Sequence, residues 1–103
     1  MRDYFERIAS EIKENKVVLY MKGSKQFPMC GFSAVVCQIL AKLEVEFKDV
    51  NILEDEGLRS AIKEFSNWPT IPQLYINGEF IGGSDIAKQL YESGELKKIL
   101  NNQ

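Results

Sequence analysis

Apolar residues recur at helical spacing at the start of the chain: Tyr4, Phe5, Ile8, Ala9 and Ile12 mark an amphipathic helix over 3–15. Asp3, with Glu6 three residues on, resembles a capping box, and Asn15 suits the helix end. Val17-Val18-Leu19-Tyr20-Met21 is short, continuous and β-branched at its start, the pattern of a buried central strand. Residues 22–29 hold Gly23 and Pro28 and read as a loop. A second helix is expected from Cys30 or Gly31 to Leu43, buried on most sides because Val35, Val36, Cys37, Ile39, Leu40 and Leu43 cover much of its circumference. Val45 to Val50 reads as a second strand, and 55–66 as a third helix with Leu58, Ile62 and Phe65 on one face.

The two prolines of Trp68-Pro69-Thr70-Ile71-Pro72 forbid a helix there. Leu74-Tyr75-Ile76 and Phe80-Ile81 flank Asn77-Gly78, a strong hairpin signal. Gly82-Gly83 ends that hairpin, and Ser84 or Asp85 is expected to cap the next helix. Gly94 separates it from a short last helix carrying Leu96, Ile99 and Leu100. The order predicts an α/β fold: a βαβ unit with parallel strands, then a β-hairpin, giving a four-stranded mixed sheet with helices on both faces. This is a thioredoxin-like arrangement.

Composition narrows the chemistry. The 103 residues suffice for one domain, taken as 1–103. Lys and Arg number 13 against 15 Asp and Glu, a formal charge of −2, so the basic excess of a nucleic-acid binder is missing. Histidine is absent, which removes Cys–His and Ser–His pairs and every His-containing metal site. Two cysteines make neither a disulfide scaffold nor a four-ligand zinc site. The charged first residues lack the apolar run of a signal peptide, and no stretch is long enough to span a membrane. The expectation is a soluble protein of a reducing compartment, a bacterial cytoplasm or an organelle matrix after processing, rather than a secreted one.

Cys30-Gly31-Phe32-Ser33 falls between the first strand and the second helix. There the unpaired amides and positive dipole end of the helix favour thiolate over thiol, and Lys22 at the far end of the loop adds charge. The alternative is a buried, inert cysteine. Ser33 stands where a Cys-x-x-Cys pair has its second sulfur, so Cys30 reacts alone, ligates alone or uses an external thiol. Cys37 lies two helical turns away, about 10.5 Å of rise, beyond the Cα separation of roughly 7 Å that a disulfide tolerates. Its apolar neighbours mark it as a small core residue.

Cys30-Gly31-Phe32-Ser33 resembles the signature of the monothiol glutaredoxins, the CGFS class. Met21-Lys22-Gly23-Ser24, Ser66-Asn67-Trp68-Pro69-Thr70-Ile71-Pro72 and Gly82-Gly83-Ser84-Asp85 match it in order and spacing, so the resemblance covers about residues 4–100. It implies a thioredoxin fold with a cis Ile71–Pro72 bond and a glutathione site. Lys22, Arg59 and, as a third cation, Lys63 would face the glycyl carboxylate. The Ile71 backbone would pair with the cysteinyl segment like an added strand, beside Cys30, Phe32 and Pro72. Backbone amides at Gly83, Ser84 and Asp85 would take the γ-glutamyl carboxylate, the Asp85 carboxylate the amine, and Thr70 a further hydrogen bond. Pro69 is expected to shape the turn and Trp68 to be a packed aromatic. Many relatives carry Cys where this chain has Ser84, which excludes a disulfide between Cys30 and that position.

The resemblance further implies a [2Fe–2S] cluster. Four thiolate ligands are reached by Cys30 from each of two chains plus two glutathiones, in a homodimer that passes the cluster to acceptor proteins. A glutathione-dependent monothiol oxidoreductase is the second reading, and a docking module with an incidental Cys30 the third.

Overall fold

A computed structural model describes residues 1–102. The elements run α1 (Arg2–Glu14), β1 (Val17–Met21), α2 (Gly31–Lys42), β2 (Lys48–Asn51), a 3₁₀ turn (Ile52–Glu54), α3 (Glu56–Ser66), β3 (Gln73–Ile76), β4 (Glu79–Gly82), α4 (Ser84–Ser93) and α5 (Glu95–Asn101). The four strands form one mixed sheet in the order β2-β1-β3-β4. β1 pairs parallel with β2 and antiparallel with β3, and β3 pairs antiparallel with β4. This is the βαβ-plus-hairpin, thioredoxin-like architecture the pattern predicts. No helix among the described residues is long and apolar enough to cross a membrane.

The alternation of β1 builds two cores, one on each face of the sheet. Val17, Leu19 and Met21 join Val36, Cys37 and Leu40 of α2, with Ala87 of α4 and Leu96 and Leu100 of α5. Val18 and Tyr20 join Ile8 and Ile12 of α1 and Leu58, Ala61 and Ile62 of α3. All five β1 residues are buried, as a central strand requires.

Four local expectations differ from the structure. α1 begins at Arg2, so Asp3 lies inside its first turn and makes no cap, while Glu6 pairs with Arg2 at 3.3 Å instead. Ala9, expected on the apolar face, is exposed. β2 starts at Lys48 rather than Val45, because α2 closes with Glu44 at φ 58 and a Val45 N–H to Leu40 carbonyl bond, leaving 45–47 to climb to the sheet. Neither Ser84 nor Asp85 caps α4. Gly83 is the N-cap, and the Asp85 carboxylate sits in the first turn, where the helix dipole favours it.

Candidate functional site

Cys30 is the N-cap residue of α2 and is partly exposed. Its environment pulls both ways. Partial burial raises the thiol, while hydrogen bonds from the Ser33 and Phe32 amides and the Ser33 hydroxyl, together with the Lys22 charge, lower it. The lowering influences win, and the thiol falls below its ordinary range. Cys37 goes the other way, pushed up by burial and by Asp49, against Lys25. It is buried, with Sγ 3.8 Å from Met21 Sδ. Both thiols are free.

The loop before Cys30 is tied down by side chains from the end of β2. Gly23 N–H donates to Asn51 Oδ1 at 3.0 Å, and Lys25 N–H donates to Asp49 Oδ2 at 2.8 Å. Asn51 Oδ1 also accepts from Leu53 N–H at 3.0 Å, so one amide oxygen joins the loop to the 3₁₀ turn. Gly23 and Pro28 form an isolated antiparallel bridge. Gly23 has φ +90, and a Cβ there would run into the Phe27 carbonyl and Met29 amide. Three large apolar side chains near Cys30 in the chain are exposed: Phe27 at 78% and Met29 at 70% in the loop, and Phe32 at 64% in the first turn of α2.

A cleft of about 420 Å³ opens at Cys30. Every residue the resemblance assigns to the site lines it: Lys22 just after β1, Cys30 and Phe32 at the start of α2, Arg59 and Lys63 on α3, Thr70, Ile71 and Pro72 before β3, and Gly83, Ser84 and Asp85 at the start of α4. The Ile71–Pro72 bond is cis, as the resemblance implies. Among the described residues, the Arg59 guanidinium forms an ion pair with the exposed Glu56 alone, at 3.8 Å, a contact that leaves it available to a stronger acceptor. Gly82, at φ +145, would bring a Cβ within 2.7 Å of Ile86 Cβ, and Gly83 would bring one within 3.2 Å of the Pro72 carbonyl. Both positions thus turn a crowded corner without side chains, Gly82 against Ile86 of α4 and Gly83 against the wall at Pro72.

Trp68, Pro69 and Ile86 also line the cleft, which sequence reasoning assigned to packing or passed over. Trp68 does both: its ring is 5.5 Å from Phe80, and it faces the opening. The adjacency of Trp68 and Pro69 to Thr70 within one motif was the available signal. Asp49 and Asn51 carried none, because their role depends on where β2 ends.

A thioredoxin-like sheet thus carries one lowered thiol at a helix N-terminus, in a cleft lined by Pro69, Pro72 and the cations Lys22, Arg59 and Lys63, while the second thiol is buried elsewhere. The glutaredoxin family model matches residues 17–81, and the chain belongs to the glutaredoxin family. It is similar to a probable monothiol glutaredoxin 2 of Rickettsia conorii, 62% identical over 93% of this chain and 90% of that one. It is also similar to the chloroplastic monothiol glutaredoxin-S14 of Arabidopsis thaliana, 55% identical over 95% of this chain and 55% of that one. Among solved structures, reduced poplar apo GrxS14 superposes with a TM-score of 0.78 at 52% identity, covering 94% of this chain and 86% of that one. A buckwheat glutaredoxin–glutathione complex shares the fold with a TM-score of 0.86 at 19% identity, over 96% and 88% of the two chains.

Proposed function

We propose that this protein is a glutathione-dependent carrier of [2Fe–2S] clusters, holding the cluster as cargo between two copies of the chain. The observation that carries the reading is a solitary lowered thiol at the edge of a cation-bearing cleft, with the second thiol buried away from it. Among the described residues no group of three or more Cys, Asp or Glu side chains is placed to hold a metal. One chain thus offers one soft thiolate, and such a cluster takes four ligands, thiolates as a rule. Two Cys30 side chains and two glutathione thiols complete the set. The exposed apolar side chains of Phe27, Met29 and Phe32, close to Cys30 in the chain, suit the approach of a second copy.

The cleft suits glutathione end to end. Lys22, Arg59 and Lys63 offer charge to the glycyl carboxylate. The Ile71 backbone beside cis-Pro72 offers strand-like hydrogen bonds to the cysteinyl segment, flanked by Phe32 and Thr70. The first turn of α4 at Gly83 and Ser84 offers amides to the γ-glutamyl carboxylate, and Asp85 a carboxylate to the amine. Isolation without oxygen, followed by visible absorption, iron counting and dimer fraction against glutathione concentration, tests the reading. A coloured, iron-loaded dimer that forms only with glutathione is expected. A fully loaded dimer without glutathione, or a loaded monomer, overturns it.

A second reading, removal of glutathione from proteins, is favoured by the lowered Cys30 thiol. The Cys30 thiolate attacks the glutathione sulfur of a mixed disulfide and releases the protein thiol. A second glutathione thiolate then attacks the Cys30-bound glutathione sulfur, freeing Cys30 and leaving glutathione disulfide. Turnover in a glutathione-linked reductase assay, with no cluster retained, would put this reading first.

A further inference from the structure

Gln73 is a polar residue in a strand otherwise made of Leu74, Tyr75 and Ile76, and it is fully buried. Its amide nitrogen donates both hydrogens, to the Trp68 carbonyl at 3.1 Å and the Thr70 carbonyl at 3.2 Å. Its amide oxygen accepts from the Tyr75 hydroxyl at 3.3 Å. This pattern fixes the amide's orientation, because the flipped form would set an oxygen against two carbonyl oxygens. Burial pushes the Tyr75 hydroxyl up to about 12, so it remains a donor, while the Ser66 hydroxyl donates to the Ile62 carbonyl at 2.9 Å. The Ser66 hydroxyl in turn accepts from Trp68 N–H at 3.2 Å. The segment bound in this way supplies Trp68, Thr70, Ile71 and Pro72 to the cleft, although Trp68 and Thr70 are themselves exposed.

We propose that Gln73 is a positioning residue, whose buried amide clamps the 68–72 segment as the wall against which glutathione lies. The proposal rests on the glutathione reading above. Because the clamped residues are exposed, their carbonyls can turn to water if the clamp is lost. The wall then shifts while the two cores stay packed, so the cost falls on ligand fit rather than on the fold.

The substitution Gln73→Glu keeps the shape and leaves at most one donor hydrogen, on a protonated carboxyl, for two carbonyls. The assay is the exchange in which the Cys30 thiolate takes one half of glutathione disulfide and releases one glutathione thiolate, followed to equilibrium by mass spectrometry. The same exchange with bis(2-hydroxyethyl) disulfide reports on Cys30 without the cleft. Wild-type protein is expected to favour the glutathione adduct. Gln73→Glu is expected to lower that equilibrium constant about tenfold and the hydroxyethyl one by less than about twofold. Where the buried carboxylate prevents folding, Gln73→Met, similar in length and uncharged, makes the same comparison. Wild-type preference retained in a folded variant overturns the role of Gln73, as does an equal loss with both disulfides. Wild-type protein that takes glutathione no better than the hydroxyethyl group overturns the glutathione reading and this inference together.

Discussion

The Lys22 amide donates to the Ser33 hydroxyl oxygen at 3.1 Å, joining the end of β1 to the first turn of α2. Ser33 is fully buried, and its hydroxyl also lowers the Cys30 thiol. The residue that stands in place of a resolving thiol is thus a structural tie and a thiolate donor. Ser33→Cys should form an internal disulfide with Cys30 under mild oxidation and lose the oxygen that Lys22 bonds. The reduced variant should lose about 1 kcal/mol, or roughly 4–8 °C in Tm. Thiol counting and thermal melts check both halves. Two free thiols after oxidation, one of them at Cys30, would contradict the geometry.

The two thiols should separate in a pH series of iodoacetamide labelling. Cys30 should react with a midpoint below that of an ordinary thiol, and Cys37 above it. The stability effects carry opposite signs. The lowered Cys30 contributes stability that is present above its unfolded-chain value and lost as pH falls through the folded one. The raised Cys37 contributes stability that is present below its unfolded-chain value and lost as pH rises through the folded one. Ser33→Ala should raise the Cys30 midpoint more than Lys22→Gln, since the hydroxyl hydrogen bond outweighs the more diffuse Lys22 charge. The reverse order would show that the cation dominates.

Cys37→Ser should lower stability by about 1–3 kcal/mol, because the new hydroxyl replaces a sulfur–sulfur contact in an apolar setting. It should leave iron loading and Cys30 labelling intact, whereas Cys30→Ser should abolish loading. Equal iron loss in both folded variants would argue against a single ligating cysteine.

Lys22→Gln and Arg59→Gln should weaken cluster assembly, with partial recovery in excess glutathione by mass action and further weakening in salt. Iron content at stepped glutathione and sodium chloride concentrations is the measurement. Insensitivity to both would remove these cations from the carboxylate role.

Gly82→Ala should cost about 1–3 kcal/mol, since φ +145 is closed to side chains and Ile86 stands in the way. Denaturant midpoints are the check, and a neutral result would mean that the strand-to-helix corner yields.

Much of this was legible in the chain because the signals were local. The apolar run at Val17–Met21 carried the central strand, Asn77-Gly78 the hairpin, and the motif residues assembled into one cleft. What stayed hidden depended on distant partners. The start of β2 is set by the close of α2 at Glu44 and by pairing, Lys48 lying opposite Val18, and no spacing records either. Asp49 and Asn51 look like ordinary polar residues until the loop folds back on them. Gln73 looks like an intruder in an apolar strand until its amide meets two carbonyls from five and three residues upstream.

The cleft draws its thiol from α2 on one face of the sheet and the Arg59 and Lys63 cations from α3 on the other. A tripeptide gripped along its length would therefore be a cross-brace between the layers on the two faces of the sheet. Its binding should slow amide hydrogen–deuterium exchange in α2 and α3 together. A small alkyl cap on Cys30 should quiet α2 and leave α3 breathing at its former rate.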